Sequence, residues 1–191
     1  QDPRVAFVQQ LLQTLNHTKL LVICHTRSTA EALEARLRLH NGLRSAVFHE
    51  GLSLIERDRS AAYFAESEDG AQVLVCSEIG SEGRNFQFCQ HLVLFDLPQN
   101  PDLLEQRIGR LDRIGQQQRV YLYVPYLTGT AQEVLFKLHI DTLGIASQPN
   151  PVAARVCAEL GEQIVATLQT PQDAVLLQSL LQQAATLNTA L

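Results

Sequence analysis

Lysine is scarce in this chain: only Lys19 and Lys137 occur among 191 residues, and neither follows a glycine. A phosphate loop of the G-x-x-x-x-G-K-[ST] type needs a lysine directly behind a glycine, so that loop is excluded. No Asp-Glu dipeptide occurs, which also excludes the D-E-x-H form of the acid that holds magnesium beside such a loop. Long apolar runs are missing too. The longest, at 20–24 and 92–95, are strand-sized and far short of the roughly 20 residues of a membrane span. Gln1-Asp2-Pro3-Arg4 carries neither a basic n-region nor an apolar h-region, so no secretory signal is expected there. Cys24, Cys76, Cys89 and Cys157 lie far apart, without the paired spacing of a zinc site. They read as reduced thiols of a cytoplasmic protein, with no metal site.

What is present fits the soluble globular class. With 46% hydrophobic and 18% charged residues the chain can bury one core of ordinary size, and one domain plus an appendage is expected. The net charge of -5 argues against a dedicated nucleic-acid-binding domain, which usually shows a basic face. Charge placement says more than the sum. Of the 15 basic residues all but the two lysines are arginine, and Arg84, Arg107, Arg110, Arg113 and Arg119 fall in one stretch. The planar guanidinium fork suits phosphate oxygens.

Five short segments rich in branched residues, at 20–24, 45–48, 73–76, 91–95 and 120–124, alternate with segments of helical character. That order predicts an α/β domain on a parallel sheet. Ser28 with Glu31, Ser53 with Glu56 and Thr130 with Glu133 have capping-box spacing. Asn100-Pro101 and Thr170-Pro171 read as an N-cap followed by proline at the first helical position. The loops His25-Thr26-Arg27, His49-Glu50-Gly51, Ser77-Glu78-Ile79-Gly80 and the run 96–101 all fall at the carboxyl edge of the sheet, where open α/β sheets gather ligands. From about residue 148 the strands stop, and 151–168 and 171–191 read as helices. The expected division is therefore 1–147 and 148–191. The second part either packs against the first or begins a neighbouring domain.

A helix from Pro101 to Ile114, stopped by Gly115, is expected to put Gln106, Arg110 and Arg113 on one face, because spacings of four and three stack side chains on successive turns. Two stacked guanidinium groups repel unless an anion lies between them, and a nucleotide triphosphate is such an anion. The plainer reading is that Arg110 and Arg113 pair with Asp112, Glu105 or Asp102 on a solvated helix.

The run QRIGRLDRIGQ at 106–116 resembles motif VI of superfamily 2 helicases, and its RIGQ ending resembles the Swi/Snf-type branch. The resemblance implies that Arg110 and Arg113 are arginine fingers reaching the γ-phosphate of ATP held by another lobe, with Gln106 a polar neighbour. Residues 77–86, SEIGSEGRNF, resemble motif V. There Ser77 is implied to donate to a strand phosphate, and Glu82, Gly83 and Arg84 to line the nucleotide cleft. The Swi/Snf-type pattern has lysine where Glu78 stands, glycine at Ser81 and leucine at Arg84. Residues 20–26, LLVICHT, resemble motif IV, and HEG with Arg57 and Phe64 the segment after it, which implies that Thr26 and Gly51 face a nucleic-acid backbone. Asp96 to Pro101 is similar to a D-x-x-W-N-P element, with Gln99 in place of tryptophan.

Over about 19–143 the chain looks most like the bacterial RNA-polymerase-associated Swi/Snf-type ATPases. That implies a RecA-like, P-loop-NTPase-like helicase C-terminal lobe with a helical appendage. It also implies double-stranded DNA, a first RecA-like lobe and RNA polymerase as partners, no membrane, ATP with magnesium held mainly by the first lobe, and a cytoplasmic, nucleoid-associated place of work. The alternative is a catalytically inactive RecA-like interaction module that docks on polymerase or nucleic acid.

Overall fold

A computed structural model describes residues 2–40, 42–112 and 116–191. By its contacts the chain divides into two compact units, one of Gln1–Asp96 with Gly109–Pro125, the other of Leu97–Ile108 with Tyr126–Leu191. These boundaries fall at 97, 109 and 126 rather than at 148.

The first unit carries the sheet. β1 (Leu20–Cys24), β2 (Ser45–Phe48), β3 (Val73–Ser77), β4 (His91–Leu94) and β5 (Tyr121–Tyr123) form one parallel sheet in the order β2-β3-β1-β4-β5. All five expected strands are present with ends shifted by a residue at most. β1 and β3 are buried at every position, as central strands covered on both faces must be. β2, at the sheet edge, alternates in burial. Leu20, Val22 and Cys24 meet Val5, Val8 and Leu12 of α1 (Pro3–Leu15) and Ala30, Leu33 and Leu37 of α2 (Arg27–Arg38). Strand alternation sends the intervening side chains to the other face. Elsewhere in this unit Phe48, Phe64 of α3 (Leu54–Ala65), Phe86 and Phe88 form a chain of ring contacts with centroids 5.4 to 6.5 Å apart. Phe48 and Phe64 are fully buried, which stabilises the unit by about 1.5–3 kcal/mol each.

Local capping follows the sequence at two positions and departs from it at three; Asn100 accepts from the Asp102 N–H at 2.9 Å, with Pro101 the first residue of the helix behind it. Ser53 and Glu56 close the expected reciprocal box at the start of α3. At α2 the cap is Thr26, whose hydroxyl accepts from the Thr29 N–H at 3.3 Å, and not Ser28. Glu31 is drawn away instead to Arg27 and His49. At Thr130 the hydroxyl donates to the Leu127 carbonyl and Glu133 accepts from the Gly129 N–H, so no reciprocal box forms. Thr170 donates back to the Ala166 carbonyl, and α8 (Ala174–Ala190) is capped by Asp173 instead.

The second unit is helical. It comprises α4 (Pro101–Ile108), α5 (Ala131–Leu135) running into a π-helical stretch Phe136–Thr142, α6 (Ala153–Glu159), α7 (Gly161–Gln169) and α8. The helix expected over 151–168 is broken at Leu160, whose φ of -100° and ψ of 14° leave the helical region ahead of Gly161. Asn150 knits this unit together. Its backbone N–H donates to Glu105, its side-chain amide donates to the Leu143 carbonyl and to Asn188, and its carbonyl oxygen accepts from the Val152 N–H. Gln132 brackets Leu97 with two hydrogen bonds, and buried His139 lies 3.2 Å from the Pro98 carbonyl, so the 97–100 turn is fixed before α4 begins. Burial pushes the His139 pKa down to about 4, and the ring is neutral at physiological pH. Among the described residues no helix is long and apolar enough to cross a membrane.

Removing the Ser53 hydroxyl deprives α3 of one half of its box. Ser53→Ala should lower stability by about 1 kcal/mol in urea denaturation, with an unchanged denaturant slope. A midpoint equal to that of the wild type would mean the cap contributes nothing.

Candidate nucleotide and nucleic-acid site

Because the sheet is parallel, the loops after β1, β2, β3 and β4 leave it on one edge. Side-chain hydrogen bonds tie them to one another. After β1, the His25 N–H donates to both carboxylate oxygens of Asp96, at 2.9 and 3.1 Å, joining this loop to the end of β4. The His25 ring lies 3.5 Å from Glu78 in the loop after β3.

The loop after β2 is held most completely. His49 is buried, its Nδ1 accepts from the Gly51 N–H at 3.0 Å, and its Nε2 lies 3.1 Å from Glu31. An accepting Nδ1 puts the imidazole proton on Nε2, where the carboxylate meets it. Arg57 donates to the Glu50 carbonyl at 2.9 Å and to the Leu52 carbonyl at 3.1 Å. A side chain on Gly51 would run into the Arg27 guanidinium packed against it.

Ser77 joins this loop to the one after β3. Its hydroxyl donates to Glu50 at 2.5 Å and accepts from the Gly80 N–H at 3.0 Å. Gly80 has no room for a side chain, since a Cβ would stand 2.5 Å from the His49 Cα. The Ser77 hydrogen bond holds the Glu50 carboxyl below the ordinary carboxylate range, against a smaller upward push from burial.

Further along the same segment Gly83 takes φ +76°, with open space where a side chain would point. Beside it Glu82 is exposed, and its N–H donates to the Ile79 carbonyl. Arg84 donates to Asp58 at 2.8 Å and lies 5.2 Å over the Phe48 ring.

The helix expected to carry Gln106, Arg110 and Arg113 on one face ends at Ile108. Gly109, a poor helix former, follows directly, and the Arg110 carbonyl accepts from the Phe86 N–H at 2.8 Å, which turns it away from helical pairing. Helical stacking therefore does not relate Gln106 to Arg110. Gln106 is exposed on α4 in the helical unit, whereas Arg110 belongs to the sheet unit and is only 8% exposed. Its charge reaches Cys76 at the end of β3 and favours the thiolate there, although burial dominates and pushes that thiol up. Arg113 lies outside the described residues. Glu105, one of the expected partners of the arginines, accepts from the Asn150 N–H.

Thr26 stands at the edge as a helix cap, Gly51 under Arg27, and Ser77 beneath Glu50. Spacing and composition do not single out His49, Glu50, Glu31, Asp96 and Arg57 as residues of this edge network. Histidine and acidic residues at strand ends were a visible signal, but their pairing across loops was not. Among the described residues no group of three or more His, Cys, Asp or Glu is placed to hold a metal ion. The cationic Arg84 and Arg110 and the open Gly83 backbone have the chemistry that suits phosphate oxygens.

Ser77→Ala removes the main cause of the lowered Glu50 pKa, so the Glu50 carboxyl should titrate at higher pH in the variant. A lowered folded-state pKa contributes stability above the unfolded value and loses it as pH falls through the folded one. The stability gap between wild type and variant should therefore narrow on acidification. Carboxyl-carbon NMR titration checks the first statement, and an unmoved Glu50 curve would remove Ser77 as the cause.

Residues 3–115 match the family model described as Helicase conserved C-terminal domain, and residues 119–191 the one described as RNA polymerase recycling family C-terminal. The RNA polymerase-associated protein RapA of Serratia proteamaculans (strain 568) is 55% identical over 172 residues, covering 90% of this chain and 18% of that protein. Its namesake from Stutzerimonas stutzeri (strain A1501) is 54% identical, again over 90% and 18%. The chain thus spans 18% of the length of these curated relatives. The solved C-terminal part of the Fun30 ATPase domain superposes with a TM-score of 0.61 at 17% identity, over 86% of this chain and 53% of that one. The E. coli DEAD-box protein SrmB, solved bound to RraA, gives 0.52 at 23%, over 63% and 68%. At these identities the two structures speak for the fold alone, and it is the RecA-like helicase fold. The chain belongs to the helicase conserved C-terminal domain family, as its resemblance to Swi/Snf-type superfamily 2 helicases implied.

Proposed function

We propose that this chain is the second motor lobe of an ATP-dependent double-stranded DNA translocase of Swi/Snf type, acting with RNA polymerase in transcription recycling in the bacterial cytoplasm, at the nucleoid. The observation that carries this reading is the anchoring of Arg110. Phe86, at the end of the 77–86 segment, donates its N–H to the Arg110 carbonyl, so the loop with nucleic-acid chemistry and the arginine with nucleotide chemistry move as one body. The names of the curated relatives support the polymerase partner.

ATP with magnesium, held mainly by a first RecA-like lobe, supplies the γ-phosphoryl group when bound. Arg110 and Arg113 present positive charge to oxygens that grow more negative during transfer, an effect worth about 10³ to 10⁵ in rate for a positioned arginine. A guanidinium as little hydrated as Arg110 interacts more strongly with an anion than an exposed one. Glu82, Gly83 and Arg84 line the nucleotide side. Thr26, Gly51 and Ser77 face DNA phosphates, contacts that position a strand without reading its sequence.

In the full-length protein, Arg110→Ala should lower DNA-stimulated ATP turnover by about 10³-fold or more while ATP binding changes little, as read by coupled-enzyme kinetics and nucleotide titration. Wild-type turnover in that variant would remove the finger assignment. The 191-residue chain alone should hydrolyse no ATP with or without duplex DNA. Measurable turnover would overturn the half-site reading.

A further inference from the structure

The Glu50 carboxylate sits in an anion seat. One of its oxygens accepts from the Ser77 hydroxyl at 2.5 Å, and the positive charge of Arg27, packed on the adjacent Gly51, favours the ionised carboxylate. A hydroxyl, a backbone N–H and an arginine are the groups that proteins bring to a phosphate oxygen. Here the Ser77 hydroxyl is taken up by a carboxylate of the chain itself, with Arg27 close by. The rest of the loop is pinned: Arg57 holds the Glu50 and Leu52 carbonyls, His49 holds the Gly51 N–H, and Gly80 is wedged against His49. Ser77 is 1% exposed, whereas the side chain covering it is exposed, and none of these ties involves the Glu50 carboxylate.

We propose that Glu50 is a resident competitor for a nucleic-acid phosphate at Ser77, so that a DNA strand binds this edge only by displacing the carboxylate. Glu50 is then a specificity-determining residue that sets the strength of the contact. Apparent affinity falls by the fraction of time the seat is vacated, and a strand is released as the carboxylate returns. A lobe that must let go of its track at every step gains from such a contact. The inference rests on the DNA-binding reading above and deepens it.

The test measures duplex DNA binding to the full-length protein by fluorescence anisotropy at one fixed low salt concentration, for wild type, Glu50→Gln, Ser77→Ala, the double variant, and Glu68→Gln as a control for net charge. Glu50→Gln should bind about fivefold or more tightly, Glu68→Gln should not, and the gain should vanish when Ser77 is alanine. In the wild type, added duplex should shift the Glu50 carboxyl-carbon resonance, a readout that needs no variant to fold. If Glu50→Gln binds like wild type, if Glu68→Gln gains equally, if the gain survives Ser77→Ala, or if the resonance does not move on binding, Glu50 is no competitor and the DNA-binding reading stands. If neither wild type nor Glu50→Gln binds duplex, both readings fall.

Discussion

A parallel sheet imposes one rule on everything attached to it: each strand must return by a crossover, and every strand therefore ends on the same edge. In this chain β1 and β3 are buried at every position, so the sheet is covered on both faces and its backbone has no freedom to shift register without exposing Leu, Val and Ile. The carboxyl edge inherits that rigidity. Loops after β1, β2, β3 and β4 meet there because the sheet brings their starts to strand spacing.

Rigid strand ends alone would still leave the loops free, and polar side chains do the rest. His25 and Asp96 join the loops of β1 and β4, Ser77, Glu50 and Gly80 join those of β2 and β3, and Arg57 ties the Glu50 and Leu52 carbonyls of the β2 loop. Each of these bonds satisfies a backbone or hydroxyl group that would be costly to leave unmade at a half-buried edge. The chemistry of the edge is consequently mixed. Arginines favourable to phosphate lie among carboxylates that occupy the donors, so an incoming anion competes with the chain's own acids. The net charge of -5 does not describe this surface, and neither does the arginine content.

Much of the fold was legible. Runs of Val, Leu and Ile of strand length mark all five strands, since strands buried on both faces need continuous apolar sequence and little else. The Ser53–Glu56 box was legible because both partners lie within one turn. Errors gathered where a residue had a choice of partners. Glu31 has capping-box spacing from Ser28 but turns to Arg27 and His49, and Thr170 precedes a proline but bonds backward to Ala166. Apolar spacing alone would carry the helix from Pro101 further, yet it ends at Ile108 with Gly109 directly behind it, and the Arg110 carbonyl beyond accepts from Phe86, a residue 24 positions earlier that spacing rules cannot see.

The sequence by itself determined the α/β layering, the strand set, and the presence of a glycine-and-arginine chemistry suited to phosphate, because strand burial and guanidinium geometry are properties of local composition. It also determined, through its two lysines and the missing Asp-Glu pair, that a complete P-loop site is not encoded in these residues. The tertiary structure alone decided that Ser77 donates to Glu50, that His49 is buried on Glu31 and Gly51, and that Arg110 is withdrawn into the sheet unit. These pairings join residues separated by long loops. A short-range hydrogen bond depends on ångström-scale approach, and only the packed sheet sets that distance.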